Sequence, residues 1–246
     1  MNSKNSSYPN AESEAGERKS KRELPKLTKN FSVQKAHETQ VCLSQKVIRE
    51  DRLPQHITTV GGVDVSYAGN IGVGAVAVLD YESLELLETV VAVCQVKMPY
   101  IPTLLSFREI PPAMAAIQKL KLQPDVFLVD AQGWAHPYRC GFASHLGLLL
   151  KKPTVGAAKS RLIGEQVERG GRTVLMDREE VIGEVVTTKA GAKPVYVSIG
   201  HMVSLETAVK IVKHCSKGRI PEPLLHAHNL ATRERDRLAA ESKVNI

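Results

Sequence analysis

A short, continuously apolar segment that ends in an acidic residue constrains the fold of this chain more than any other feature. Residues 124–133 read PDVFLVDAQG, so an apolar run leads directly to Asp130 and then to Gly133. An unbroken apolar run of this length, bounded by Pro and Gly, is typical of a strand that is buried on both faces of a sheet. The segment therefore predicts a central strand whose carboxyl end carries chemistry at Asp130.

The region upstream of this strand predicts an antiparallel meander. Three β-rich segments, ITTVGGVDVSY, IGVGAVAVLD and LELLETVVAVCQVKM, are joined by short turns. Residues 32–51 approximate helical spacing and predict an amphipathic helix ahead of the meander. After it, a segment with four prolines breaks the pattern, and Pro111 and Pro112 predict the first turn of a second helix.

The region downstream alternates between helical and strand-like segments. RCGFASHLGLLL predicts a helix, KPTVGAAKS a further buried strand, residues 170–200 hairpin strands, and SLETAVKIVKHC a helix with Ser204 as its N-cap. A meander followed by alternating elements predicts an α/β fold, with a mixed sheet and flanking helices in a single domain. We place this domain at residues 29–232, between a disordered polar and basic tail (1–28) and a polar C-terminal tail that frays (233–246).

Composition narrows the class of protein only moderately. The formal net charge is +7, and the first 30 residues supply +3 of it from 7 basic and 4 acidic groups. A basic excess outside the tail favours a polyanionic partner, although many proteins are mildly basic. The chain has no apolar run of about 18 residues and no signal-peptide pattern. Its four cysteines lack C-x-x-C spacing, so we expect reduced thiols in a cytoplasmic protein without membrane association.

Two aspartates occupy apolar strand segments. Asp64 lies within VGGVDVSY and Asp130 ends VFLVD. A carboxylate in such a segment is costly unless it is paired or bound to metal. If the two strands are neighbours, both carboxylates reach one site, where hard oxygen ligands suit Mg²⁺ or Mn²⁺. Spacing alone favours the alternative of two unrelated strand-end aspartates that turn amides satisfy.

The residues that follow Asp130 strengthen the case for a site. Gly133, His136 and Arg139 come soon after it, and Lys159 follows the next buried strand. His136 is a candidate to hold a phosphate, orient a water or bind metal, and Lys159 is a candidate phosphate contact. A structural histidine and a surface lysine remain the alternatives. Phosphate-binding G-x-x-x-x-G-K-[ST] and G-x-G-x-x-G motifs are absent, as is a G-x-S-x-G nucleophile elbow.

The motifs together resemble a known family. GGVDVSY, PYIPTLLSFRE, DAQGWAHPYRCGFASHLG, PTVGAAKSRLIGE and PEP occur in this order. From about Val33 to Leu230 the chain is similar to endonuclease V, a family of nucleases that act at deoxyinosine or inosine. The resemblance implies a ribonuclease H-like fold, in agreement with the pattern of strands and helices.

The resemblance also implies roles for named residues. The metal-site carboxylates fall on Asp64 and Asp130, with Glu109 as the third acidic member. His136 and Lys159 match the family's active-site His and Lys. A strand-separating wedge falls on Pro99, Tyr100, Ile101 and Pro102, and Tyr100 is expected to stack by the lesion. The hypoxanthine pocket is expected to be lined largely by the backbone that follows the wedge and by the loop from Ala131 to Gly133.

The chain departs from the family pattern at a few positions. Ala131 stands where the family usually has Gly, and Ala is tolerated there unless the position needs a positive φ. Met202 follows His201, and Leu224 and Leu225 follow PEP, where the family commonly has basic or polar residues. Two cations that would contact nucleic acid are therefore missing, while the catalytic set is complete.

The activity implied is metal-dependent nicking of DNA. The resemblance implies a cut at the second phosphodiester bond 3′ of deoxyinosine, with 3′-hydroxyl and 5′-phosphate ends. Mg²⁺ is the expected cofactor, with Mn²⁺ as a substitute, and a monomer is the expected state. The alternatives are an inosine-specific endoribonuclease, another ribonuclease H-like nuclease such as a junction resolvase, and a nucleic-acid-binding module with a decayed site.

Overall fold

The computed structural model describes residues 31–244, so the predicted tail of residues 1–28 lies outside the described residues. Five helices and nine strands make up the described part. The helices are α1 (Val33–Ser44), α2 (Leu105–Ile117), α3 (Phe142–Leu150), α4 (Leu205–His214) and α5 (Glu222–Val244). The strands are β1 (Thr59–Ala68), β2 (Ile71–Asp80), β3 (Leu86–Gln95), β4 (Val126–Val129), β5 (Thr154–Ala158), β6 (Glu165–Arg169), β7 (Arg172–Asp177), β8 (Glu180–Val186) and β9 (Val195–His201).

All nine strands form one mixed sheet in the order β3-β2-β1-β4-β5-β9-β8-β7-β6. β1, β2 and β3 are the predicted antiparallel meander. β4 pairs in parallel with both β1 and β5, and all four of its residues are buried. The prediction of an α/β fold with PDVFLVD as a central strand is therefore confirmed.

Helices cover both faces of the sheet. On one face, α4 and α5 contribute Ile211 and Leu224 to a core with Leu128 of β4. On the other face, α2 and α3 contribute Ala116 and Leu146 to a core with Phe127. Burial of each large apolar side chain contributes about 1.5–3 kcal/mol. Because successive residues of β4 enter opposite cores, the continuous apolar run needs no polar face.

The predicted start of α2 is wrong. The helix begins at Leu105, and Pro111 and Pro112 lie inside it rather than in its first turn. Proline in a helix interior removes a backbone hydrogen bond, so tertiary packing must stabilise this arrangement. A Cβ atom on Gly74 of β2 would lie 2.0 Å from the Pro112 carbonyl oxygen, which shows how closely α2 packs on the sheet.

The C-terminal segment also differs from its prediction. Residues 233–246 were expected to fray, but α5 continues through Val244 and packs on β1 and β2. Ala227 and Ala231 lie one turn apart and are fully buried. Arg237 forms ion pairs with Glu234 and Glu241 on the exposed part of the helix. Small residues on the inner face and spaced charges on the outer face stabilise this helix. Its sequence is mostly polar and therefore gives little sign of a buried face.

Other predicted elements are confirmed. α1 occupies the first part of the predicted N-terminal helix, α3 and β5 lie where expected, and Ser204 caps α4 by accepting a hydrogen bond from the Thr207 backbone N–H. Within residues 31–244, every helix is too short or too polar to span a membrane.

Candidate metal centre and adjoining cavity

The parallel pairing of β1 with β4 brings Asp64 and Asp130 together. Val63 pairs with Val129 in the register of the two strands, and the Asp130 backbone N–H donates to the Val63 carbonyl oxygen at 3.1 Å. The condition set by the sequence, that the two strands are neighbours, is therefore met. One ligand atom from each of Asp64, Asp130 and His228 lies within 4.8 Å of the others, an arrangement that could hold a metal ion.

His228 is a member of this cluster that the sequence analysis missed. Its Nδ1 lies 2.7 Å from Asp64 Oδ2 and 3.5 Å from Lys159 Nζ. It comes from α5, whose N-terminal end packs so closely on β1 that a Cβ atom on Gly62 would lie 2.0 Å from the Pro223 carbonyl oxygen. Leu224, His228 and Ala231 share one helical face. A histidine on an otherwise buried helical face is the available signal, but the sequence pattern predicts no helix after residue 215, where α5 lies.

Glu109, on the inner face of α2, is a third carboxylate near Asp64 and Asp130, but it is not part of the group whose ligand atoms lie within 4.8 Å of one another. Its side chain is buried, and burial, followed by the negative charges of Asp64 and Asp130, raises the pKa of Glu109 well above its ordinary value. The same causes, burial first and Asp130 second, raise the pKa of Asp64. Three carboxylates in a poorly solvated space repel one another, so the site favours either protons or a cation.

Lys159 is the basic residue that contacts this acidic group. It follows β5, the parallel neighbour of β4, and its Nζ lies 2.5 Å from Asp130 Oδ2. The Asp130 side chain is 9% exposed and that of Lys159 is 35% exposed. The ammonium group therefore reaches from a solvated position towards a buried carboxylate, close to where a bound cation would compete for Asp130.

The buried carboxylates make a prediction about stability. Because the folded-state pKa values of Glu109 and Asp64 are raised, the stability that their protonated forms provide is present at low pH and lost as pH rises through those values. We expect Glu109→Gln to raise the melting temperature of the metal-free protein at pH 7. For a protein of this size, each kcal/mol of added stability raises the melting temperature by about 2–4 °C. The fall of the melting temperature with rising pH should also become smaller.

The control for this experiment is Glu85→Gln, which changes an exposed carboxylate in the turn before β3. Melting curves of the metal-free proteins from acid to neutral pH give the comparison. A lower melting temperature for Glu109→Gln than for the control at pH 7 would contradict the assignment of Glu109 as an unfavourably buried charge.

His136 lines a cavity beside the acidic cluster, and both of its ring nitrogens are hydrogen-bonded to the backbone. Its Nε2 donates to the Thr103 carbonyl oxygen at 3.0 Å, and its Nδ1 accepts from the Tyr138 N–H at 3.2 Å. Burial lowers the pKa of His136 to about 4, so the ring is neutral at physiological pH. With both nitrogens engaged, this arrangement leaves neither of them to orient a water or hold a phosphate.

Arg139 points away from the acidic cluster. Its guanidinium bonds Asp177 at 2.6 Å and Glu180 at 2.8 Å, and it donates to the His136 carbonyl oxygen at 3.0 Å. Arg139 has φ of 51°, a left-handed conformation that these contacts maintain. The residue therefore braces the loop after β4 against the β7–β8 hairpin.

A cavity of about 280 Å³ opens beside the acidic cluster and shares Asp130 and Lys159 with it. Ligand pockets in proteins typically measure about 300–1,000 Å³, so this one suits a group of the size of a single base. Its lining includes Tyr100, Thr103, Ala131 and Gln132, with Ser160, Arg161 and Leu162 after β5. A larger surface depression on the β6–β7 hairpin contains none of the candidate site residues.

The predicted wedge and pocket residues differ in exposure. Pro99 is buried, Ile101 is half-buried and Pro102 is exposed, whereas the Tyr100 side chain is 61% exposed at the mouth of the cavity. Gly133 is not among the residues that line the cavity, and its N–H donates to Ser198 Oγ at 2.9 Å. A Cβ atom there would lie 2.1 Å from the Ile199 carbonyl oxygen. Gly133 therefore lets the loop pack on β9.

The departures from the family pattern are accommodated locally. Ala131 is not among the residues with positive φ, so Ala is tolerated, as the sequence analysis required. Met202 has φ of 57°, and its backbone N–H donates to the Ile48 carbonyl oxygen. Leu224 is 1% exposed and belongs to the core, while Leu225 is 39% exposed.

Comparison with known proteins gives a consistent result. The family model for endonuclease V matches residues 41–229. Endonuclease V of Thermofilum pendens is 44% identical over 210 residues, which cover 84% of this chain and 90% of the relative.

Solved structures agree with the sequence comparison. Endonuclease V of Streptomyces avermitilis has a TM-score of 0.79 at 36% identity, over 84% of this chain and 94% of that one. Ciona intestinalis endonuclease V, bound to DNA containing an inosine followed by a ribo-adenosine, has a TM-score of 0.77 at 35% identity, over 84% and 98% of the two chains.

Proposed function

Because the chain belongs to the endonuclease V family of nucleases, we propose that it nicks DNA at deoxyinosine. The cut falls at the second phosphodiester bond 3′ of the lesion and leaves 3′-hydroxyl and 5′-phosphate ends. The observation that carries this proposal is the juxtaposition of an acidic cluster, Asp64, Asp130 and Glu109, with a cavity of the size of one base. Cleavage and lesion recognition then use adjoining parts of one site.

A divalent metal ion is the cofactor that this cluster fits. Carboxylate oxygens of Asp64, Asp130 and Glu109 are hard ligands that suit Mg²⁺, and Mn²⁺ also accepts the imidazole nitrogen of His228. We propose Mg²⁺ as the physiological ion and Mn²⁺ as its substitute. When bound, such an ion activates water and stabilises charge on the departing oxygen.

Lys159 and Asp130 have complementary roles in this proposal. Asp130 holds the Lys159 ammonium, and the same carboxylate would hold a bound cation in its place. Lys159 is then free to neutralise the negative charge that develops on the phosphate. Since its side chain is 35% exposed, it has room to move from Asp130 to a substrate oxygen.

Recognition of the lesion requires the base to leave the stack. Unstacking costs a few kcal/mol, and an aromatic ring at the mouth of the cavity recovers part of this, since stacking contributes about 1–3 kcal/mol per base. Tyr100 supplies that ring. Its neighbours Pro99, Ile101 and Pro102 put a proline on either side of it and so restrict the backbone that carries the ring. The Ala131 loop, together with the backbone after the wedge, reads the Watson–Crick edge of hypoxanthine.

His228 gives a prediction about the metal requirement. We expect His228→Ala to raise the Mg²⁺ concentration needed for half-maximal nicking by about 10–100-fold, because a ligand or its orienting partner is lost. Excess Mn²⁺ should restore most of the rate. The matched control is His226→Ala, two residues away on α5. Metal titrations that leave the two variants indistinguishable would remove His228 from the metal centre.

The experiment that tests the function compares strands that differ in one base. Purified protein with Mg²⁺ is given labelled DNA with inosine or adenine at the same position, and the end groups and position of the nick are mapped. Selective nicking at inosine is expected. Cleavage of branched DNA without inosine preference would favour a junction resolvase, and binding without nicking in any metal would favour a decayed site.

Inosine-containing RNA is the second candidate substrate. The similar Ciona structure holds a strand in which a ribonucleotide follows the inosine, so a ribose beside the lesion deserves a parallel assay. Side-by-side cleavage of matched DNA and RNA decides between the two. We further propose that the enzyme acts as a monomer in the cytoplasm, a setting compatible with its free cysteines.

A further inference from the structure

We propose that α1 is a positioning element for the Tyr100 loop and thereby sets selectivity for the lesion, an inference that rests on the function proposed above. Among the described residues, those of α1 neither belong to the metal cluster nor line the cavity. The helix nevertheless holds Thr103, the residue that ends the loop, through Gln40 and His37.

Thr103 is the point at which the loop is fixed. It has φ of 69°, a left-handed conformation that a β-branched residue adopts only where its surroundings impose it. Its carbonyl oxygen accepts two hydrogen bonds, from Gln40 Nε2 at 2.9 Å and from His136 Nε2 at 3.0 Å. The loop is therefore hydrogen-bonded to α1 on one side and to the segment after β4 on the other.

Gln40 makes the hydrogen bond that links α1 to the Tyr100 loop. Its side chain is fully buried, which is costly for an amide unless it is hydrogen-bonded. Nε2 donates to the Thr103 carbonyl and also to the Cys140 carbonyl at 3.1 Å, while Oε1 has no partner among the described residues. One amide group thus joins α1, the Tyr100 loop and the segment that leads into α3.

His37 adds a second contact of compatible chemistry. The Tyr138 hydroxyl lies 3.1 Å from His37 Nδ1, and Thr103 Oγ1 lies 2.9 Å from His37 Nε2. In either neutral tautomer one ring nitrogen donates and the other accepts, and both hydroxyls suit either role. The His37 and Tyr138 rings stack at 4.2 Å between centroids. Since Tyr138 also donates its backbone N–H to His136, both histidines serve one network around Thr103.

This network fixes the backbone that carries Tyr100, because the loop between Tyr100 and Thr103 is short and is closed by a backbone hydrogen bond. The Leu104 N–H donates to the Ile101 carbonyl oxygen at 3.0 Å, and Leu104 is fully buried. The Tyr100 ring, by contrast, is mostly exposed, so packing of the ring cannot fix its direction. The backbone at Thr103 must do so, and α1 holds that backbone. His136 is accordingly a positioning residue as well.

The test removes the amide of Gln40 without changing its length. We expect Gln40→Met to lower the preference for inosine over adenine by about tenfold, the equivalent of about 1.4 kcal/mol. The rate at saturating inosine-containing DNA and the Mg²⁺ requirement should stay unchanged, because the metal cluster is untouched. Gln34→Met is the matched control, since Gln34 is exposed on the same helix and its side chain bonds Glu38.

Two further variants keep the test decisive if Gln40→Met is poorly folded. His37→Phe preserves the stacked ring but removes the bond to Thr103, and a smaller loss of preference is expected. Thr103→Gly keeps the carbonyl that Gln40 and His136 hold, and Gly accepts φ of 69° without strain. Because it removes the same hydroxyl contact as His37→Phe, it should show the same smaller loss of preference and no more.

The outcomes separate this inference from the proposed function. A wild-type protein without inosine preference would refute the proposed function itself. If the wild type discriminates but Gln40→Met discriminates as well as Gln34→Met, the role of α1 is refuted. Equal losses of preference and of saturating rate, with a large fall in melting temperature, would also refute it, because α1 would then only support the fold.

Discussion

Asp130→Asn is expected to lower the rate of nicking by roughly 10³-fold, because the cation that we propose it helps to hold would contribute several kcal/mol of charge stabilisation. Asn keeps the size of the side chain but removes the negative charge. Binding of inosine-containing DNA should be retained or slightly stronger, since one negative charge near the phosphates is lost. Single-turnover nicking with Mg²⁺ and a binding titration without nicking measure the two quantities.

Asp125→Asn is the control for this variant. Asp125 precedes the same strand, β4, but at the opposite end, where it accepts hydrogen bonds from Thr58 and Thr59. An asparagine oxygen can still accept them, so nicking should remain at the wild-type rate. Full activity of Asp130→Asn in Mg²⁺ would overturn the metal centre, and an equal loss in both variants would indicate a general effect on folding.

The part of the site built by strands could be predicted from sequence. A continuous apolar run bounded by Pro and Gly predicts a central strand, whereas the position of β1 beside it was only a condition, which the order of the strands meets. Asp64 and Asp130 then meet through strand register alone. Lys159 follows for the same reason, because β5 is the other parallel neighbour of β4.

The part built by helices could not be predicted in the same way. His228 and Glu109 reach the cluster only because α5 and α2 approach the sheet at Gly62 and Gly74, and close approach between distant segments leaves little local signal. The two prolines of α2 indicate a helix start by propensity, yet packing against the sheet overrides that preference. The hydrogen bond from His136 to Thr103 likewise depends on the left-handed backbone conformation of Thr103, which a β-branched residue disfavours.

Tyr100→Ala is expected to reduce the preference for inosine over adenine by about tenfold or more, because stacking of a base on an aromatic ring contributes about 1–3 kcal/mol. The saturating rate should fall much less, since the carboxylates and Lys159 are unchanged. A tyrosine packed in the core would instead lower stability, but the Tyr100 side chain is 61% exposed. Its melting temperature should therefore match that of the wild-type protein.

Three comparisons make the Tyr100 result interpretable. Tyr100→Phe keeps the ring and should keep the preference, whereas Leu87→Ala, an exposed apolar side chain on β3, should alter neither preference nor rate. If Gln40 acts only by directing Tyr100, the double variant Gln40→Met/Tyr100→Ala should lose no more preference than Tyr100→Ala alone, because the two changes remove one shared interaction. Additive losses would mean that Gln40 and Tyr100 act on the lesion independently. An unchanged preference in Tyr100→Ala, with a collapsed saturating rate, would move Tyr100 from recognition to hydrolysis.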